Sequence, residues 1–269
     1  GDLSPRAAEI LSSVDFIAAE DTRVTVKLLN HLGIKKPMVS YHEHNKVSRH
    51  DIIADRILSG ESCALVTDAG MPAISDPGED LVRYCYERGV KIESVPGPSA
   101  LITALAISGM PSGRFCFEGF LSVNKAERRE RLSVLAEEDR TMLFHEAPHK
   151  LKATLKDLAT AFGEDRRIAL CRELTKINEE VLRTTLGKAV AFYAENDPRG
   201  EYVLVVEGAP ENADSAVSQM SIREHLEAYI SDGVAMKDAI KDYLTNAGKS
   251  IPECDADYFN SAYHSLGYC

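Results

Sequence analysis

The stretch Leu65-Val66-Thr67-Asp68-Ala69-Gly70-Met71-Pro72-Ala73-Ile74-Ser75-Asp76-Pro77-Gly78-Glu79 decides the fold. An apolar run ends in a loop punctuated by Gly and Pro, and the loop feeds a segment with helical periodicity. The end of the loop carries a helix-start signature: Asp76 suits the N-cap, Pro77 the first helical position and Glu79 the third, a capping-box pattern. Strand, loop and helix in that order form the repeating unit of α/β architecture. A loop at the C-terminal end of a strand is where open α/β sheets bind ligands. Gly70 and Pro72 suit a backbone held close to such a ligand. The stretch is neither G-x-G-x-x-G nor G-x-x-x-x-G-K-[ST], so the usual dinucleotide and P-loop readings have no support. A merely structural turn has the same outward form, and the stretch alone leaves that alternative open.

The same unit recurs along the chain. Strands are predicted at Val14–Ala19, Pro37–Tyr41, Cys63–Thr67, Lys91–Val95, Phe115–Glu118, Thr141–His145, Arg167–Arg172, Val181–Thr184 and Tyr202–Glu207. Helical periodicity fills Glu79–Arg88, Ser99–Ser108, Lys125–Glu138 and His149–Phe162. The alternation predicts an α/β fold. Gly109-Met110-Pro111-Ser112-Gly113 is the richest breaker cluster mid-chain, so the boundary between two α/β domains, 1–110 and 111–210, is expected there. After Gly208-Ala209-Pro210 the strands stop, and Ser221–Tyr243 reads as helix with a break near Gly233, predicting a small helical appendage over 211–269. There is no visible repeat and no segment of low complexity.

Composition sets the outer limits. The chain has 269 residues, 44% hydrophobic and 27% charged, with 17 Gly and 11 Pro, which is globular and long enough for about two domains. No run approaches the roughly 18 apolar residues of a membrane span, and Gly1-Asp2-Leu3-Ser4-Pro5 lacks a basic-then-apolar leader, so a cytosolic protein with no membrane partner is expected. Net charge is −11, and residues 211–269 hold ten acidic against four basic side chains. General nucleic-acid affinity comes from neutralising phosphates, so any RNA contact must be local. The main basic cluster, Lys125, Arg128, Arg129 and Arg131, is interrupted by Glu127 and Glu130 and reads as a solvated helix face with i,i+3 and i,i+4 pairs. Six scattered cysteines without a C-x-x-C predict buried free thiols, neither a zinc ribbon nor a disulfide framework.

Other candidate site residues stand at strand ends. Pro96-Gly97-Pro98-Ser99-Ala100 follows one predicted strand and opens a helix, whose free N–H groups suit an anionic group. Glu20-Asp21-Thr22-Arg23 follows another, with Asp21 placed to cap the next helix; His42-Glu43-His44-Asn45 occupies the equivalent place after Pro37–Tyr41, without the further ligands a metal site needs. His145-Glu146-Ala147-Pro148-His149 matches H-E-x-x-H formally. Zinc is rejected, because Pro148 cannot occupy a helix interior and instead suits the first helical position, leaving His145 at a strand end. Arg172-Glu173-Leu174-Thr175-Lys176 and Gly200-Glu201 add further charges, consistent with a polar crevice or with a solvated rim.

Taken in order, Glu20–Arg23, Asp68–Gly78, Pro96–Ala100, Phe117-Glu118-Gly119-Phe120-Leu121, Glu146–His149, Arg172–Lys176 and Gly200–Gly208 resemble the ribosomal RNA small-subunit methyltransferase I family, within the tetrapyrrole-methylase-like class of S-adenosylmethionine (SAM) methyltransferases. The resemblance covers about residues 1–208. It implies two α/β domains with SAM between them, homodimerisation, and 2′-O-methylation of a cytidine in the decoding region of 16S rRNA within the assembled small subunit. It implies SAM contacts at Gly70, Met71, Pro72, Ala73, Ile74, Ser75, Ser99 and Ala100, with His145, Arg172 and Glu201 completing the pocket, and no metal. For the chemistry, Glu20 or Asp21 is expected to take or relay the ribose proton, with Arg23 and Arg172 holding phosphates. Family members begin with a strand and a Gly-containing turn that line the SAM pocket. Gly1-Asp2-Leu3 resembles only the tail of that turn, so the first strand is expected to be missing here. Met236–Lys241 resembles the opening of the family's C-terminal module. A tetrapyrrole methylase of the same fold and a non-catalytic ribosome-binding module are the competing readings.

Overall fold

Alternation along β1 (Phe16–Ala19) explains how the first sheet is built, because successive side chains of a strand point to opposite faces. Ile17 and Ala19 pack with Leu11, Val14 and Leu29 on one face; Phe16 and Ala18 pack with Tyr41, Ile53, Ala54, Leu81 and Cys85 on the other. The helices behind these residues are α1 (Pro5–Ser13) and α2 (Thr22–His31) on the first face, and α3 (Lys46–Leu58) and α4 (Glu79–Glu87) on the second. A strand covered on both faces is central, and β1 pairs in parallel with β2 (Met38–Ser40) and β3 (Cys63–Val66), giving the order β2-β1-β3. This computed structural model describes residues 1–43 and 46–210. The predicted appendage over 211–269, with Ser221–Tyr243, Met236–Lys241, Cys254 and Cys269, and also His44 and Asn45, lie outside the described residues.

The second sheet has the order β4-β5-β8-β6-β7, from β4 (Phe115–Gly119), β5 (Thr141–Glu146), β6 (Arg167–Arg172), β7 (Glu180–Thr185) and β8 (Tyr202–Val206). β4 and β5 are parallel, and the remaining pairs are antiparallel. One face, with Met142, Phe144, Ile168, Leu170, Leu204 and Val206, is covered by α6 (Lys125–Leu135), α7 (Pro148–Phe162) and α8 (Leu186–Glu195). The opposite face, with Leu143, Ala169, Cys171, Val203 and Val205, receives Ala104 and Leu105 of α5 (Ala100–Ser108). Helix α5 is apolar nearly all round, and it precedes the breaker cluster at 109–113, yet it packs on strands that follow that cluster. Arg183 of β7 donates through Nε to Ser108 O (3.2 Å) and through Nη2 to Ile107 O, supplying donors to the last carbonyls of α5.

Eight of the nine predicted strands form. Lys91–Val95 does not: it is almost wholly exposed, shares no ladder with a described strand, and joins Lys91 to Glu93 in a local ion pair. A strand exists only where a neighbour takes its backbone groups, and alternation in sequence does not supply that neighbour. Residues 1–136 and 140–207 form one compact unit carrying both sheets; residues 137–139 and 208–210 belong to a second, within which Ala209 N donates to Glu138 O (2.6 Å). Among the described residues no helix is long and apolar enough to cross a membrane.

Candidate active site

Four non-glycine residues among those described have left-handed backbone, and they fall in two loops: Ala73 (φ 68°) and Ser75 (φ 61°) in one, Glu173 (φ 49°) and Thr175 (φ 62°) in the other. Such conformations cost of order 1 kcal/mol or more each and gather where a loop is shaped for a task. The first loop is the stretch after β3. It folds back on itself at Gly78 (φ 147°), where an added Cβ would lie 2.7 Å from Leu65 Cδ2 and 3.1 Å from Ala73 N. Gly78, not Asp76, precedes the first turn of α4, and no side chain caps that helix. The predicted capping box is therefore corrected: Gly78 alone fits the closure, so the helix begins two residues later than the signature suggested.

Freed from capping, Asp76 is part of an acidic group. Its carboxyl is pushed up to about 6 by burial, and next by the nearby charges of Glu20 and Asp68. Glu20 leaves the end of β1 and its Oε2 accepts from Asp68 N (3.3 Å), tying two strand ends together. Asp21 has another task. It caps α2 by accepting from Arg23 N (2.8 Å), and it accepts from Arg23 Nε and Nη2 as well. Those bonds hold its carboxyl down at about 2.

The two proline-stiffened bends meet. A Cβ on Gly70 would lie 3.4 Å from Pro98 O, and one on Gly97 would lie 3.4 Å from Met71 Sδ. Ser99 is the N-cap residue of α5 and Ala100 its first residue; the Ser99 side chain makes no capping bond, so the first-turn N–H groups keep their donor capacity. Gly119, at the end of β4, brings the second sheet alongside: its Cβ position is 3.9 Å from Ser75 Oγ. Next to it, the Phe120 ring lies 5.5 Å from His145, which stands edge-on to Phe117 at 5.1 Å. Burial lowers the His145 pKa, against an opposing pull from the Glu201 charge. His145 belongs to β5, and Pro148 stands in the first turn of α7, so the two His of the H-E-x-x-H match lie on different elements.

The remaining predicted residues are held in ion pairs. Arg172 pairs with Glu180 (2.9 Å) on the neighbouring strand β7. Glu201 holds Lys176 (2.9 Å), which also binds Glu173 (3.0 Å) and thereby ties down the second strained loop. The basic cluster is also organised differently from the expected helix face: Arg128 pairs with Asp157 of α7 (2.7 Å) and Arg131 with Glu118 of β4 (2.7 Å). Four cysteines are described, all free, and desolvation pushes Cys63 up to about 12 and Cys171 up to about 11, which makes them inert thiols. The sequence marks Asp76 as a cap and Phe120 only as part of the Phe117–Leu121 stretch, and gives neither its place beside the bend or the His145 ring.

Residues 1–190 match the family described as Tetrapyrrole (Corrin/Porphyrin) Methylases. The chain belongs to the tetrapyrrole methylase family. Among its relatives, the protein named ribosomal RNA small subunit methyltransferase I from Synechocystis sp. is 45% identical over 239 residues, 89% of this chain and 86% of that protein. The protein of the same name from Xylella fastidiosa is 48% identical over 233 residues, 84% of this chain and 85% of that protein. The crystal structure of the methyltransferase CobJ superposes with a TM-score of 0.59 at 18% identity, covering 77% of this chain and 89% of that one, a likeness of fold. This member of the tetrapyrrole methylases is accordingly a SAM-dependent methyltransferase. The residues present fit SAM: a backbone cradle at Gly70 and Gly97 that side chains would fill, a helix start with open N–H groups, and exposed apolar Ile74 beside them.

Proposed function

We propose that this methyltransferase transfers the methyl group of SAM to the ribose 2′-oxygen of a cytidine in the decoding region of 16S rRNA, acting on the assembled small subunit as a homodimer. The observation that carries the site is the meeting of the 70–78 and 96–100 bends; the names of the relatives support the RNA substrate. The two lobes are residues 1–110 and 111–210, with α5 reaching across to the second sheet. Gly70 to Ser75, Ser99 and Ala100 hold SAM, and His145 walls the pocket from the second sheet. Glu201 acts on His145 through its charge, and Arg172 is engaged by Glu180 and supports the strand end.

SAM, when bound, supplies an electrophilic methyl group on sulfur. The chain's own tasks are to align the acceptor oxygen and to manage its proton. Glu20 suits the second task, since one carboxylate oxygen is anchored by Asp68 N–H and the other accepts no hydrogen bond from the described residues. Asp21, held at about 2, is a weak base at neutral pH; with Arg23, whose side chain is 87% exposed, it positions a phosphate-facing cation. Methyl transfer from labelled SAM to small subunits, to naked 16S rRNA and to a tetrapyrrole, run in parallel, tests the reading. It requires label in 2′-O-methylcytidine from subunits, and label in the tetrapyrrole alone overturns it. Glu20→Gln is expected to lower kcat by about 10²-fold or more. Asp21→Asn, which keeps a capping side chain, is expected to change it far less.

A further inference from the structure

We propose that the exposed face of Phe120 is the platform on which the base of the acceptor nucleotide stacks; this rests on the reading of the chain as an RNA methyltransferase. Phe120 leaves β4 immediately after Gly119, whose left-handed backbone (φ 64°) turns the chain beside Ser75. Leu121, the next residue, is buried and anchors the turn. The ring itself is 57% exposed, with His145 behind it at 5.5 Å and an interplanar angle of 34°, and Phe117 edge-on behind His145. A single exposed aromatic ring needs no explanation by itself. This one is backed by two further rings and directly follows Gly119, whose Cβ position lies 3.9 Å from Ser75 Oγ in the bend proposed to hold the methyl donor.

A nucleotide drawn out of the local stack to bring its ribose to the methyl donor regains the lost stacking on an aromatic face. The phosphates on either side need local cations in a chain whose net charge is −11. Helix α6, which starts five residues after Phe120, presents Lys125 and Arg129 one turn apart, both exposed and neither in an ion pair among the described residues. Arg128 and Arg131 of the same helix are already held by Asp157 and Glu118. An exposed aromatic ring together with cations that stand outside the ion pairs of the described residues is the composition by which proteins hold single-stranded nucleic acid.

The chain contains no Trp, so Phe120→Trp introduces a single indole at the platform. With small subunits as acceptor, Phe120→Ala is expected to lower kcat/KM by about 5- to 150-fold, the range set by about 1–3 kcal/mol of base stacking. SAM affinity by calorimetry is expected to stay within about twofold, and Phe120→Trp to restore transfer to within about threefold. Indole emission of the Phe120→Trp protein is expected to be quenched by single-stranded RNA and unchanged by an abasic oligonucleotide of equal charge. Unaltered kcat/KM in Phe120→Ala, or equal emission with base-bearing and abasic strands, overturns the platform. If the wild type methylates no RNA, the functional reading fails separately, and the quenching comparison still decides whether a base stacks at residue 120.

Discussion

Asp76 shows how a single residue departs from its sequence signature. The helix-start pattern makes it a cap; the fold instead places it half-buried among Glu20 and Asp68, with its carboxyl at about 6 against an ordinary 3.8. Because the folded chain binds this proton more tightly than the unfolded one, stability rises as pH falls from 6 toward 4 and is lost as pH climbs past 6. This is the reverse of a paired carboxylate. Asp76→Asn is therefore expected to raise Tm at pH 7.5, by about 1–3 °C, with the gain vanishing near pH 4; thermal melts across that range decide it. Gly78→Ala is expected to act in the opposite sense. Its new methyl meets Leu65 Cδ2 and its φ of 147° excludes a side chain, for a loss of about 1–3 kcal/mol in denaturant unfolding. An unchanged midpoint would show that the loop closes some other way.

At the scale of elements, α6, α7 and β5 are joined by one polar chain. Glu146, only 4% exposed, accepts from Ala147 N (2.8 Å) at the start of α7 and from Thr154 Oγ1 further along the same helix. Thr154 in turn accepts from Arg128 Nη2 (3.0 Å) of α6. Removing one member strands the others in the interior. Glu146→Ala is expected to cost about 1–3 kcal/mol and to lower Tm by about 2–4 °C per kcal/mol. SAM affinity, which the proposed site assigns to the bends, is expected to hold in the folded variant. Pro148 marked the start of α7 from sequence, since its missing N–H is harmless there. The part Glu146 plays in this buried chain was hidden inside an apparent metal motif.

At the scale of the whole molecule, the site depends on α5 crossing from the first half of the chain to the second sheet. That packing carries Pro96–Ser99 to the bend at 70–78, and ligand bound by both bends stabilises the folded state by mass action. SAM at about 100 times its Kd is expected to raise Tm by roughly 5–10 °C. Gly97→Val, whose side chain reaches Met71, is expected to lose most of that shift while its ligand-free Tm changes little. Equal shifts in the two proteins would place SAM elsewhere.

Alternation and breakers in the sequence were enough for eight of the nine strands, for five of the helices, α2 and α4 to α7, and for the loops that carry the candidate site, because those signals are local. Periodicity records which face of an element is apolar, and Gly and Pro record where the backbone must turn. What only the tertiary structure decided is which partners those elements find. β8, last of the described strands, inserts between β5 and β6, and Lys91–Val95 finds no ladder. Gly70 meets Pro98, and Phe120 comes to rest on His145. Each of these depends on contacts between residues far apart in the chain, and their energies are set by packing and desolvation that no local pattern encodes.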